Sequence, residues 1–346
     1  MASSPRPPAA NPPPAFERHG LNDEQLVRML HTMLMQRTLE NRGFALNRQG
    51  KIPFASASEG HEAVQAGAAM AFVRGRDILA PYYRDLGLAL GIGLTPLEVM
   101  LSLFARVDEH SQGRQFPHHY ASRRLGLHTI SSIIAAQLPH AVGAAYAIKL
   151  RKEAGRAVLA TFGDGATSEG EWHESLNFAA VHRLPIVFLC ENNEWAISTP
   201  LALQMGQPDI AKRADGYGMP GVTVNGMDPL ACYAAVRQAL DGAREGRGPT
   251  LIEAKCYRYL SHTTDDDDRT YRSHAEVQRR RADDPVPRFE ERLLAWGVMT
   301  SAALEALKQS ILAEANQATD QAESVAYAPP ASLYENVYAD GWQPWR

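Results

Sequence analysis

The sequence predicts an α/β fold, a central parallel sheet flanked by helices, and three observations predict it. Nearly continuous apolar runs at 157–162, 185–190 and 250–257 have the length and composition of strands buried on both faces. The stretches between them carry helical spacing, and strands that alternate with helices pair in parallel because each helix returns the chain to the same end of the sheet. The 346-residue chain is 45% hydrophobic and 21% charged, an ordinary soluble balance with enough apolar side chains to bury a sizeable core.

Taken in order, residues 1–18 are rich in Pro, Ala and Ser and are expected to form a flexible tail, because they carry too little apolar surface to order themselves. Asn22 followed by Gln25 reads as a helix cap, with Leu26, Leu30, Met33 and Arg37 down one side and an end near Gly43 or Gly50. Ser58, ahead of Glu59 and Glu62, marks a second capped start. The small residues from Ala63 to Ala71 permit close helix packing there, and the preceding rim, 54–61, stands apart as a candidate site. A helix over 135–150 leads into the 157–162 strand, and a helix over 171–181 into the 185–190 strand. A helix near 209–216, a strand at 222–224, a helix from 229 to about 245 and the strand 250–257 complete an α/β domain over 19–285. A polar loop and helices at 274–281, 287–296 and 301–323 follow. The C-terminal region, 286–346, places Leu304, Leu307, Ile311, Ala315 and Ala318 at helical spacing, so it is expected to lie on the domain or on a partner. No fixed-period repeat is present, which excludes solenoids and propellers.

Gross charge excludes other classes. A net charge of -4 and a pI near 6.3 give no electrostatic reason to expect nucleic acid or an anionic membrane surface. No apolar run approaches the ~20 residues that cross a bilayer, and the opening lacks the apolar core of a signal peptide. Cys190, Cys232 and Cys256 are odd in number and far apart, which argues against a disulfide framework or a zinc site and favours a cytoplasmic location.

The chemistry concentrates in AVLATFGDGATSEGEWHESLNFAAVHRLPIVFLCENNEWAIS. In an open parallel sheet, ligands gather at the carboxyl ends of strands, where Gly163-Asp164-Gly165 is expected. Flanking glycines let the backbone approach a bulky anion, while the acid holds a hard cation that neutralises it. The helix that follows offers free N–H groups to a phosphate. A parallel neighbour ending at Glu191-Asn192-Asn193 brings an amide oxygen alongside, completing a shell for Mg²⁺. GDG alone also builds ordinary turns. Strand, GDG, helix, strand and NN together are far more specific.

This combination resembles the thiamine diphosphate motif, and the chain is similar to the alpha subunit of the decarboxylating component of 2-oxo acid dehydrogenase complexes. GKIPFASASEGHEA, PYYRDLGLAL, GRQFPHHYASRRLGLHTISS, AAQLPHAVGAAYAIK, GDGATSEGEWHESLNFAA, ENNEWAIST and YRYLSHTTDDDDRTYRS fall in the family's order, and the resemblance runs from about Leu21 to YENVYADGW. GRQ-P-H, TISS and the Ala-rich helix resemble the branched-chain branch more than the pyruvate branch. The resemblance implies a thiamine diphosphate-binding fold with a helical C-terminal extension. It implies thiamine diphosphate and Mg²⁺ as cofactors, and oxidative decarboxylation of a branched-chain 2-oxo acid such as 2-oxoisovalerate with acyl transfer to lipoamide. The partners it implies are a beta subunit in an α2β2 heterotetramer and the lipoyl domain of an acyltransferase. The carboxylate that activates the thiazolium carbon belongs in this family to the beta subunit.

Position by position, the resemblance implies Asp164, Asn193 and the carbonyl of Trp195 on Mg²⁺, and Gly165, Ala166, Tyr83 and Arg84 on the diphosphate. Gly163, Ala196 and Ile197 complete the cofactor contacts, with Ser132 and Ile134 beside the ring. Phe54, Phe116, Pro117, His118 and His119, with Tyr83 and Ser132, match the substrate pocket. His262 matches the family histidine by the diphosphate and the reacting carbon, where an imidazole donates to developing charge. The run Asp265 to Asp268 reads as a solvated loop that orders on binding rather than as a metal site. Thr263 stands where some relatives carry a phosphorylated serine, so that regulation is not expected. Ile133 replaces a common proline, Ala136 a hydroxyl residue of a potassium site, and Glu191 an arginine that touches the diphosphate in some members. Pyruvate or acetoin dehydrogenase alpha subunits are the nearest alternative readings. A Mg²⁺-nucleotide module and a non-catalytic scaffold are more distant ones, and no P-loop supports the nucleotide reading.

Overall fold

The computed structural model describes residues 17–335 and 337–338. Most of the proposed tail and the end of the YENVYADGW segment lie outside the described residues.

The strands are β1 (Ile78–Ala80), β2 (Val158–Gly163), β3 (Ile186–Asn192), β4 (Trp195–Ala196), β5 (Thr199–Pro200), β6 (Gly221–Asn225) and β7 (Thr250–Lys255). Five form one parallel sheet in the order β1-β2-β3-β7-β6, while β4 and β5 make a small antiparallel pair. The helices are α1 (Asp23–Arg48), α2 (Glu62–Ala71), α3 (Leu86–Gly91), α4 (Pro96–Leu103), α5 (Gln137–Leu150), α6 (Gly170–Val181), α7 (Leu201–Gln204), α8 (Pro229–Arg244), α9 (His274–Arg280), α10 (Pro285–Ala295) and α11 (Ser301–Ser324). None among the described residues is long and apolar enough to cross a membrane.

Strand alternation divides the core into two layers. Leu159, Val187, Leu189 and Ile252 face one side, where they pack with residues of α1, α2, α8, α10 and α11. Val158, Ala160, Phe162, Ile186, Phe188 and Leu251 face the other, against α5 and α6. Both faces are dry, which is why these strands read as continuous apolar runs. The capping box at Asn22 and Gln25 opens α1 as its sequence predicts. Leu304, Ile311, Ala315 and Ala318 of α11 join the first layer, and the helix packs on α1 and α4.

Three expectations are corrected. Ser58 does not cap α2. Gly60 sits at φ +100, a turn intervenes, and α2 begins at Glu62 with His61 in the cap position; Ser58 instead hydrogen-bonds Glu40 and Gln36 of α1. The 209–216 helix is a 3-10 helix, Ile210–Tyr217, ended by left-handed Gly218. The edge strand β1 and the helices α3 and α4 were not expected. Three residues are too few to show a period, but Thr95-Pro96 with Glu98 is a legible capping box that opens α4.

Candidate active site

Pairing of β2 with β3 sets Gly163 opposite Glu191, so the strands end together and Asp164 lies beside Asn193. Asp164 is buried. Its Oδ1 accepts the Asn193 backbone N–H at 3.3 Å and its Oδ2 accepts Gln204 Nε2 at 2.8 Å. Among the described residues no ion pair neutralises it, and burial pushes its carboxyl pKa up. A Cβ on Gly165 would meet that of Ala196 at 2.8 Å, so only glycine lets β4 approach this closely.

The Asn193 side chain is held on both sides. Its Oδ1 accepts the Trp195 N–H at 3.0 Å, and its Nδ2 lies 3.0 Å from Nε2 of the buried His61.

His262 lies on the loop after β7. Its backbone N–H donates to Asp266 at 2.7 Å, and its ring stands edge-on to Tyr83. Arg84 Nη2 lies 3.1 Å and Arg258 Nη1 3.4 Å from its Nδ1. A guanidinium can only donate, so Nδ1 is an acceptor and the ring proton resides on Nε2. Burial first, then the charges of Arg84 and Arg258, lower its pKa to about 3. The imidazole is therefore neutral throughout the physiological range.

These groups open into one cavity of about 270 Å³. Of the expected residues, Phe54, Tyr83, Arg84, Pro117, His119, Ser132, Ile134, Gly163, Asp164, Gly165, Ala166, Asn193, Trp195, Ala196, Ile197 and His262 line it. His118 and Phe116 do not. His118 has left-handed backbone, φ 66, that turns its ring inward to within 3.2 Å of the Tyr120 hydroxyl, and burial lowers its pKa to about 3. Phe116 is half exposed and packs tilted against Phe54 at 4.6 Å and edge-on to His119 at 5.9 Å, forming an outer layer to the wall. Inside, Ser132 Oγ lies 2.8 Å from His119 Nε2, whose Nδ1–H donates to the Pro117 carbonyl.

Sequence reasoning missed Tyr82, Ser131, Ala135, Gln137, Phe162 and Thr263 in the lining and marked Ser56 only as part of the 54–61 rim. Tyr82, Ser131, Ala135, Phe162 and Thr263 adjoin the residues picked out, so widening each motif by a neighbour finds them. Arg258 and His61 also sat inside quoted motifs, whereas Gln204 carried no signal. Ala135, Glu194 and Ile197 have φ of 65, 71 and 52, costly for non-glycine residues and above all for β-branched Ile197. Asp85 and Glu191 lie buried behind Tyr82, whose hydroxyl donates to Glu191 at 3.0 Å. Burial, then the charge of Asp85, pushes Glu191 well above the usual carboxyl range, and burial lifts Asp85 to about 7. The acidic run is held in place rather than solvated throughout. Asp266 accepts from Tyr271 and from the His262 backbone, Asp267 pairs with Arg269, and Asp268 with Arg272.

Residues 30–331 match the dehydrogenase E1 component family. The chain belongs to this family. Membership implies dependence on thiamine diphosphate and a beta-subunit partner. The chain is 46% identical over 321 residues to the 2-oxoisovalerate dehydrogenase subunit alpha of Bacillus subtilis, covering 92% of this chain and 97% of that one. It is 40% identical over 334 residues to the 3-methyl-2-oxobutanoate dehydrogenase subunit alpha of Mycobacterium tuberculosis, covering 94% and 87%. It is 37% identical over 323 residues to a pyruvate dehydrogenase E1 component subunit alpha of Staphylococcus aureus, covering 92% and 84%. As an E1 dehydrogenase component it is an enzyme subunit of the 2-oxo acid dehydrogenase type.

Proposed function

We propose that this chain is the alpha subunit of a branched-chain 2-oxo acid dehydrogenase, acting with a beta subunit as an α2β2 heterotetramer in the cytoplasm. It decarboxylates 2-oxoisovalerate and its relatives oxidatively and passes the acyl group to the lipoyl domain of an acyltransferase. The observation that carries the reading is one cavity at the carboxyl ends of β2 and β3 that holds Asp164, Asn193 and a neutral His262 flanked by two arginines. The 46% identity to the Bacillus subtilis 2-oxoisovalerate subunit, against 37% to the pyruvate relative, favours the branch.

The donor set fits a diphosphate carried on Mg²⁺. Asp164 supplies a buried carboxylate without an ion-pair partner, and the Asn193 amide and Trp195 carbonyl add neutral oxygens, leaving the remaining positions to phosphate and water. Arg84 and the backbone at Gly163, Gly165 and Ala166, with Tyr83, would hold the diphosphate, and Ser132, Ile134, Ala196 and Ile197 would contact the rings. Thiamine diphosphate, when bound, supplies the nucleophilic carbon and the electron sink for loss of CO₂. His262 lines the cavity, and its Nε2–H would donate to charge developing on the substrate carbonyl oxygen. Phe54, backed by Phe116, and the wall formed by Pro117 and His119 give the acyl chain an apolar seat. Asp164 is the sole carboxylate among the lining residues, so the acid that faces the aminopyrimidine comes from the beta subunit. The exposed Phe116, Ile133, Ile134 and Ile197 give that subunit an apolar rim to cover.

Co-expression with a beta subunit and a decarboxylation assay test the proposal. Turnover that depends on thiamine diphosphate and Mg²⁺, with kcat/KM for 2-oxoisovalerate about tenfold or more above that for pyruvate, is expected. Equal turnover of pyruvate or acetoin sinks the branch assignment, and turnover without Mg²⁺ sinks the metal.

A further inference from the structure

His61 occupies the cap position of α2, where Ser, Thr, Asp or Asn ordinarily satisfies a free backbone N–H, and it makes no such bond. Its ring is fully buried and both nitrogens are engaged elsewhere. Nδ1 lies 3.1 Å from the Ser58 carbonyl, which can only accept, so Nδ1 carries the proton. Nε2 is then a lone pair, and the Asn193 amide group 3.0 Å away must present its NH₂ side to it. The Trp195 N–H on the other side demands an oxygen there, at 3.0 Å. Two independent partners thus impose the same orientation.

The turn that carries His61 is itself pinned. Gly60 lies at φ +100 with the Tyr257 carbonyl 1.8 Å from where a Cβ would stand, and the Gly60 N–H donates to Glu62 at 2.7 Å. The imidazole therefore cannot retreat from Asn193 without disturbing the chain just beyond β7 and the start of α2.

We infer that His61 is a positioning residue that fixes the amide of Asn193 with its oxygen toward the cation of the active site and its nitrogen away from it. The inference rests on the metal-diphosphate reading above. Without an acceptor at position 61 only the Trp195 N–H holds the amide, and a half-turn that offers NH₂ hydrogens to Mg²⁺ costs one hydrogen bond instead of two. Partners that orient a ligand in this way are worth about 10–100-fold in metal affinity.

The test uses the reconstituted αβ enzyme, with Mg²⁺ titrated calorimetrically at saturating thiamine diphosphate, and two variants. His61→Leu, which cannot accept, is expected to weaken Mg²⁺ binding about 10–100-fold. His61→Gln, whose side-chain oxygen can accept from Asn193, is expected to stay within about threefold of the parent. Thermal midpoints measured without ligand separate this from misfolding. Should His61→Leu fail to fold, the imidazole ¹⁵N spectrum of the parent decides: a proton on Nδ1 supports the inference and a proton on Nε2 overturns it. Unchanged Mg²⁺ affinity in His61→Leu, or equal loss in both variants, also overturns it and leaves the functional reading intact. Failure of the parent itself to bind Mg²⁺ with thiamine diphosphate sinks that reading and this inference together.

Discussion

At His262, two positive side chains press on one imidazole nitrogen, so the ring is kept neutral and its other nitrogen is kept a donor. Arg258 belongs to this arrangement although the cavity does not touch it; its guanidinium also donates to the Ile197 carbonyl at 2.7 Å and so holds the strained rim. Crowding beside Arg84 in a buried setting lowers its own pKa to about 10, with burial the larger cause. Removing the donor should raise the chemical barrier without emptying the cofactor site. His262→Ala is expected to lower kcat about 10²–10³-fold with thiamine diphosphate affinity changed only a few-fold, as measured by steady-state kinetics and cofactor titration. Unchanged acyl transfer removes His262 from its role.

Helix α2 is built to be approached closely. Its fully or nearly fully buried run of Ala63, Ala66, Ala68 and Gly67 lies against α8, where a Cβ on Gly67 would stand 2.5 Å from the Pro229 carbonyl and 2.8 Å from both Cys232 Cβ and the Tyr233 backbone nitrogen. Two of those obstacles are backbone and cannot yield cheaply. Gly67→Ala is expected to destabilise the protein by about 1–3 kcal/mol despite alanine's better helix propensity, visible as a lower thermal midpoint. A raised midpoint would show that the helices can part without loss. The consequence reaches function, because α2 carries His61 at its cap and Gln65, whose amide donates to Glu191 at 3.0 Å.

Over the whole molecule, buried titratable groups bracket the pH of greatest stability. Burial lifts Glu40 to about 8 and Asp85 to about 7, so the folded chain keeps protons that the unfolded chain releases; stability present below about 4.5 is lost as pH rises toward 8. His118 and His262, lowered to about 3, act in the opposite sense, and their contribution is complete above 6.5 and lost as pH falls toward 3. These opposing contributions cancel between about pH 4.5 and 6.5, so the thermal midpoint is expected to be level there and to fall by pH 8.5, and Glu40→Gln should flatten the alkaline side. A midpoint that climbs from pH 6.5 to 8.5 contradicts this.

The order of strands and helices, the GDG and NN pairing and most of the cavity wall were legible in the sequence, because hydrophobic period and glycine spacing are local properties. The apolar runs at β2, β3 and β7 could be read because both of their faces are buried, and Asn22 because a cap acts on its own helix. Asp164 and Asn193 could be paired because parallel neighbours end at the same side of a sheet. What tertiary structure alone decided was direction. His118 and His119 are adjacent and chemically alike, yet a left-handed backbone turns the first inward and leaves the second on the cavity. Ser58 reads as a cap but is drawn to Glu40 across the α1 interface, leaving the cap position to His61. The sheet's edge strand β1 is recruited by β2 and carries no period of its own. The state of His262 depends on Arg84, which is remote in sequence and adjacent only after the loop beyond β7 folds back onto residues 54–58. Hydrogen bonds and charges between distant segments are set by closing the fold, and no local pattern encodes them.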